Sequence, residues 1–248
     1  MSPLTIAIVA MLVQPAIAYM STLVMPVAAP EVAAEFGLDP SLIGLYSATL
    51  YVASLVATLA CGGFILRYGP LRMSQVALVL MATGLALAAP GELWLLPLSA
   101  LVIGTGSSLS TPSSSQLLAR YAPPKIAPLV FSIKQTGVPV GGALAGLMVP
   151  LLAGLYGWRS AFWATALACL LLALLLQPMR AEFDRARQPG RKFSLGDIAT
   201  TIRVVVRDPA LRGLAIAGFT YVGVQAVFAA FFVAYLTKEM PVGFAQAE

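Results

Sequence analysis

Histidine is absent from the 248-residue chain, cysteine occurs only twice, and charged residues make up just 10% of it. Each shortage excludes something. Without histidine the commonest metal ligand and the imidazole proton shuttle are gone. Zinc hydrolases and Ser–His–Asp arrangements are therefore excluded, and no metal or other cofactor is expected. Cys61 and Cys169 both lie inside apolar runs, so no disulfide framework is implied. A soluble domain carries about 25% charged residues, so a water-soluble globular enzyme is excluded as well. The net charge of +5 invites a nucleic-acid reading, but most of this sequence could not face water. What is abundant is apolar: 59% of residues, with a mean hydropathy of +0.89. The lipid bilayer is the partner this composition fits, and no nucleic acid is expected.

Charge-free windows cover residues 2–30, 40–66, 73–91, 93–119, 126–158 (interrupted only by Lys134), 160–179 and 213–237. Each is long enough for a helix of ~20 residues to cross a bilayer. The fifth window includes a turn at Gly154-Leu155-Tyr156-Gly157, which leaves its span at 127–153. The first has a small-residue run, Ala16-Ile17-Ala18, but no positive segment precedes it and it stays apolar well beyond. It reads as a retained helix rather than a signal peptide.

Orientation follows from Lys and Arg. Loops 67–72, 119–125 and 180–212 carry twelve of them, whereas the opposite loops carry only Arg159 and Lys238. That asymmetry predicts a multi-pass protein of the cytoplasmic (inner) membrane with a cytoplasmic N-terminus, and with residue 248 outside. No Asp or Glu falls in the core of a span. The long basic loop contains a capping-box pattern from Ser194 to Asp197, followed by Ile198, Ile202 and Val205 at helical spacing. This predicts a short amphipathic helix, lying either on the membrane surface or on the protein's own helix ends.

Local motifs add a family to this layout. Gly62-Gly63-Phe64-Ile65-Leu66-Arg67-Tyr68-Gly69-Pro70-Leu71-Arg72 lies between spans two and three. It resembles the loop signature G-x-x-x-D-R-x-G-R-R/K of the major facilitator superfamily. Gly62, Arg67 and Gly69 match, Leu66 stands where the family usually has Asp, and Arg72 falls one place late. In span five, Lys134-Gln135-Thr136-Gly137-Val138-Pro139-Val140-Gly141-Gly142-Ala143-Leu144-Ala145-Gly146 is similar to that family's Gly/Pro-rich fifth helix. Gly137 with Gly141, and Gly142 with Gly146, are four apart, a spacing that admits a close neighbouring helix. Gly157-Trp158-Arg159-Ser160-Ala161-Phe162 resembles the turn into span six. A shift of 211 places sets Val13, Gln14, Ala18 and Pro30 on Val224, Gln225, Ala229 and Pro241, as a parallel repeat would.

The resemblance implies an all-α polytopic membrane protein, one six-helix half of a major-facilitator fold plus a seventh transmembrane helix. Its expected units are a bundle over 1–179, a basic linker with the amphipathic helix over 180–212, and the seventh helix with an outer tail over 213–248. On this reading the chain is truncated, and a missing C-terminal half or a second chain would be needed for a complete transporter.

Lys134 is the sharpest candidate for function. A cation within a span costs about 2.5–3.5 kcal/mol on insertion scales, and such residues usually face a cavity or a partner. Two readings stand: an anion contact in a cavity, or a stem that snorkels roughly 10 Å to the nearer interface. Gln14 and Thr22 on span one, and Thr111 and Ser114 in the serine-rich span four, are the polar groups expected to help line a cavity. The family resemblance adds Tyr221 and Gln225 on span seven, since helices one, four and seven line its cavity. The polar residues of span four are also explained by helix packing alone. The expected function is secondary transport of a small solute, an organic anion by preference, through alternating access. Efflux of hydrophobic or cationic compounds, or a truncated product without transport activity, are the alternatives. No constellation of acid, base or metal ligands in the spans points to an enzyme.

Overall fold

A computed structural model describes residues 3–39, 42–190 and 195–239 of the chain. Every regular element among them is helical: α1 (Pro3–Phe36), α2 (Ile43–Tyr68), α3 (Pro70–Ala88), α4 (Leu95–Tyr121), α5 (Ala127–Gln135), α6 (Gly137–Tyr156), α7 (Trp158–Leu175), a 3₁₀ turn (Gln177–Met179), α8 (Arg180–Phe183), α9 (Leu195–Arg207) and α10 (Pro209–Glu239). A bilayer leaves no other choice, because every backbone N–H and C=O must be satisfied within its own segment or a closed barrel.

Six spans among the described residues are long and apolar enough to cross a membrane: α1, α2, α3, α5 with α6, α7 continued to Phe183, and the first part of α10. The helix α4 is equally long, but the run from Ser107 to Gln116 makes it too polar to qualify by composition. Its place in the bundle supplies the reason. It packs extensively on α2 and α3 and also against α1, so protein rather than lipid surrounds much of it.

The core lies where α1, α3, α4 and α7 meet. Met11, Leu78, Met81, Leu85, Ile103 and Phe162 are almost fully buried there. Many of their neighbours are alanines, among them Ala7, Ala28, Ala82, Ala88, Ala100 and Ala161. Small residues let helix backbones approach closely, which is how helices associate where burial from water gives no drive. The outward residues are leucine-rich: Leu45, Leu55, Leu147, Leu155, Leu174 and Leu175 are all exposed, as a lipid-facing surface requires.

The two ends of the bundle are clamped differently. At one end Glu35 of α1 accepts a bidentate pair from Arg159 (2.6 and 2.9 Å) and a bond from Trp158 Nε1 (2.7 Å), while the Arg159 guanidinium sits 4.5 Å from the Trp158 ring centroid. The turn that resembled a family feature thus fastens α7 to α1. At the other end the backbone N–H of Gln188 donates to the Leu66 carbonyl (2.8 Å), and Asp184 reaches the start of α3.

Two features of the chain differ from the reading by spans, and one expected feature is present. The fifth span is two helices, α5 and α6, that break at Thr136. Pro139 has no N–H for the carbonyl of Gln135 and its ring crowds that carbonyl, so the ladder stops there. The last helix begins at Pro209, four residues before the charge-free window opens. Asp208 Oδ1 accepts from Ala210 N (2.8 Å) and Leu211 N (3.2 Å), an N-cap followed by proline at the first helical position. The amphipathic helix is present as α9, which touches α2 and α10. The capping box at Ser194 falls outside the described residues.

Candidate functional site

Lys134 occupies the last turn of α5. The Pro139 break places it where a helix ends with free carbonyls, a position that favours a cation. Its side chain turns inward: the residue is 3% exposed, and Nζ donates to Ser115 Oγ of α4 at 3.0 Å. An ammonium has three donors, and Ser115 accounts for one. Among the described residues the ion pairs are Glu35–Arg159 and Arg180–Asp184, so no described carboxylate neutralises Lys134. A buried, singly bonded ammonium is thus the main polar feature of the α4–α5 contact.

The serine run of α4 also reaches α1. Gln14 is fully buried; its Nε2 donates to Ser110 Oγ (3.0 Å), whose hydroxyl can donate back to Oε1 (3.2 Å). Ser114, one turn further on, is buried and returns its hydroxyl to the carbonyls of Ser110 and Thr111. Thr111 is exposed. Thr22 is half-buried and donates to the Tyr19 carbonyl. Ser21, on the same helix, points to α7, with its hydroxyl 3.2 Å from Cys169 Sγ. Tyr221 and Gln225 on α10 are both exposed, Tyr221 at 71%. The structure therefore brings Lys134, Ser115, Ser110 and Gln14 onto one stretch of α4 and leaves Tyr221 and Gln225 apart from it. Replacing Gln14 by Leu and Ser110 by Ala, singly and together, should reveal a coupling of roughly 0.6–1.7 kcal/mol in thermal unfolding, the range for hydrogen bonds between membrane helices. Strictly additive losses would show that the pair contributes nothing.

The loop motif is a second polar centre. Gly69 has φ +97°, a backbone conformation that only glycine adopts freely. A Cβ at Gly69 would also run into the carboxyl of Asp184. That carboxyl accepts from the N–H groups of Leu71 (2.8 Å) and Arg72 (3.0 Å), capping α3 from across the fold. Its pKa is pushed up by burial, against the opposing effect of those N–H bonds and of Arg180 and Arg187. Arg67 lies over the Tyr68 ring, 5.3 Å from its centroid, and Arg72 Nη1 reaches Gln75 Oε1 at 3.4 Å. Gly62 is exposed, and a Cβ there would meet nothing within 4 Å. Leu66 holds the family's Asp position, yet a carboxylate is still present beside the turn, delivered from residue 184.

The glycine-rich helix divides by neighbour. Gly137 and Gly141 face α1 so closely that a Cβ would strike the carbonyls of Leu12 and Ala16. A Cβ at Gly142 would make ordinary contact with the Tyr19 ring, at 3.5 Å, and a Cβ at Gly146 would meet nothing within 4 Å. Pro139 lies between them as the residue that ends α5.

Comparison with known proteins decides the family. The sequence model of the Major Facilitator Superfamily matches residues 10–247. The chain belongs to that superfamily. Its fold agrees: a bacterial homolog of the human lysosomal transporter Spinster, solved in an inward-facing and occupied conformation, superposes with a TM-score of 0.64 at 19% identity, covering 95% of this chain and 55% of that one. Among curated relatives, the 4-hydroxybenzoate transporter PcaK of Acinetobacter baylyi is 28% identical over 156 residues, 62% of this chain and 34% of the relative. The gallate transporter of Pseudomonas putida is 28% identical over 197 residues, 75% of this chain and 44% of the relative. A probable anion transporter of Arabidopsis thaliana is 27% identical over 161 residues, 62% and 37% of the two chains. The chain thus spans less than half the length of these relatives.

Sequence reasoning selected Lys134 because a cation in an apolar window is conspicuous. It missed Ser115, Ser110 and Asp184. The serine run signalled that α4 is shielded from lipid, but it held no signal for which hydroxyl meets which helix.

Proposed function

We propose that this chain forms part of a secondary transporter for small organic anions, with Lys134 as the anion contact. The observation that carries the reading is the buried ammonium of Lys134, held by Ser115 with no described carboxylate to neutralise it. An ion in such a place costs free energy unless it is paired, and a carboxylate solute would supply the pairing. The relatives named for 4-hydroxybenzoate and gallate support the choice, since both of those solutes carry a carboxylate. Thr111 then offers a hydroxyl from α4, Thr22 and Ser114 would have to turn theirs from the backbone carbonyls that now accept them, and Tyr221 and Gln225 would join them only after α10 moves.

In this reading residues 1–179 are one six-helix bundle, 180–212 the linker and 213–248 the start of a second bundle. A second bundle, from the same or another chain, rocks against the first to give alternating access. The basic loops lie in the cytoplasm and the Glu35–Arg159 end faces outward across the inner membrane.

The test is uptake of labelled 4-hydroxybenzoate by the transporter that contains this chain. A charge-assisted hydrogen bond contributes about 1.5–3 kcal/mol, so Lys134→Ala should lower uptake roughly 10- to 100-fold, with Lys134→Arg retaining more. Unchanged uptake in Lys134→Ala would remove the anion contact from the reading.

A further inference from the structure

The Gly69 end of the bundle carries a feature that solute transport does not use. An apolar groove of about 480 Å³ runs between α2, α3 and α4, with Ala57, Cys61, Phe64, Val76 and Leu109 among its walls. It ends at Tyr68 and Arg72. From Ala57 to Tyr68 the groove follows α2 for roughly 16 Å at 1.5 Å per residue, about the depth of one leaflet of a ~30 Å hydrocarbon core. Tyr68 also lines a second cavity, of about 310 Å³, together with Arg67, Arg180, Arg187 and Pro189.

Three guanidinium groups therefore surround one small cavity at the mouth of an apolar groove. The nearby carboxylate offsets them only in part, as one acidic group paired with Arg180 among three guanidiniums. Asp184 has a side chain only 2% exposed and its oxygens are committed to the N–H groups of Leu71 and Arg72. Its distance to Arg180 Nε is 3.7 Å, and that Nε has no hydrogen-bond partner. Guanidinium forks match phosphate oxygens, and tyrosine, apolar in body and polar at its tip, suits the interface between headgroup and chain. A free anion would fill the arginine cavity and leave the groove unexplained. A neutral chain would fill the groove and leave the arginines unanswered.

We propose that the two cavities together hold one anionic phospholipid, its phosphate among Arg67, Arg180 and Arg187 and one acyl chain in the groove along α2. The lipid fastens the α2–α3 turn to the segment after α8, which meet here through Gln188 and Leu66.

The experiment uses the 248-residue chain in nanodiscs of phosphatidylcholine with or without phosphatidylglycerol, read by native mass spectrometry after release and by thermal unfolding. Phosphatidylglycerol should remain bound and raise the unfolding temperature. Arg67→Gln with Arg187→Gln should cut its retention roughly 10-fold or more, since each basic residue near an anionic surface contributes about a factor of five. Arg203→Gln with Arg207→Gln on α9 should leave retention unchanged. Ala60→Trp, which fills the groove and spares every arginine, should lower retention as well, and it stands in should the double arginine variant fail to fold. Equal retention in Ala60→Trp, or displacement of the lipid by inorganic phosphate alone, would overturn the proposal in favour of a free-anion pocket. Self-association that Ala60→Trp abolishes would overturn it in favour of a second copy in the groove.

Discussion

Gly141→Val is expected to destabilise the bundle, while Gly146→Ala leaves its unfolding temperature unchanged or slightly higher. The two positions belong to one glycine-rich stretch and are indistinguishable by residue type, so only their surroundings separate them. At Gly141 even a Cβ would strike the carbonyl of Ala16. The obstacle is backbone rather than the tip of a flexible side chain, so α1 and α6 must separate along their whole contact. Overpacking of this kind costs about 1–3 kcal/mol, and valine adds two more methyls to the collision. A loss of that size corresponds to a fall of roughly 2–12 °C at 2–4 °C per kcal/mol for a chain of this length. A Cβ at Gly146 would have nothing within 4 Å, so an added methyl meets open space and gains the helix preference of alanine over glycine. Thermal unfolding of both variants in one detergent decides the matter. Equal melting curves would mean that α1 and α6 are not in contact at Gly141.

Asp184→Ala should destabilise the chain by about 2–6 kcal/mol, and Asp184→Asn by about half as much. Alanine strips the acceptor from two N–H groups at the start of α3, and each buried donor left unsatisfied costs about 1–3 kcal/mol. Asparagine keeps one acceptor oxygen but sets its NH2 against the other N–H. Gly69→Ala should be costly for two separate reasons, since it strains a φ of +97° and presses on the Asp184 carboxyl. The second vanishes when Asp184 is absent. The double variant Gly69→Ala with Asp184→Ala should therefore lose less than the sum of the single variants, a coupling that distant sites do not show. Additive losses would mean that the carboxyl does not occupy the space beside Gly69.

The same carboxyl has a pH signature. Burial raises its pKa in the folded chain, so the folded state holds this proton more tightly than the unfolded one. The stability gained from protonation is full below the ordinary Asp value of about 3.9 and is lost as pH rises through the raised folded value. Asp184→Asn should remove that part of the pH dependence of unfolding.

Both predictions rest on contacts that local sequence could not show. The helices themselves were legible from charge-free windows, because a ~30 Å hydrocarbon core accepts little else. Pro139 was visible as part of a motif, and its missing N–H is enough to explain why α5 ends just beyond Lys134. The capping role of Asp184 was not visible, since it lies 113 residues from Leu71 and nothing in its neighbours Phe183 and Arg185 points to α3. Asp208 was legible in principle: Asp-Pro before an apolar run is a helix start by its own chemistry.

Composition alone set the solvent. At 10% charged and 59% apolar the chain belongs in a bilayer, and the placement of Lys and Arg sorted its loops into two sets. Those conclusions need no folding, because transfer into lipid sums over residues one at a time. Which polar side chains bind one another is a different kind of question. Gln14 is committed to Ser110, Ser21 lies against Cys169, and Lys134, the charge that interrupts the fifth apolar window, donates to Ser115. Hydrogen bonds are short and directional, so these pairings depend on how α1, α4, α5 and α7 are rotated and packed against one another, which no single helix's sequence specifies.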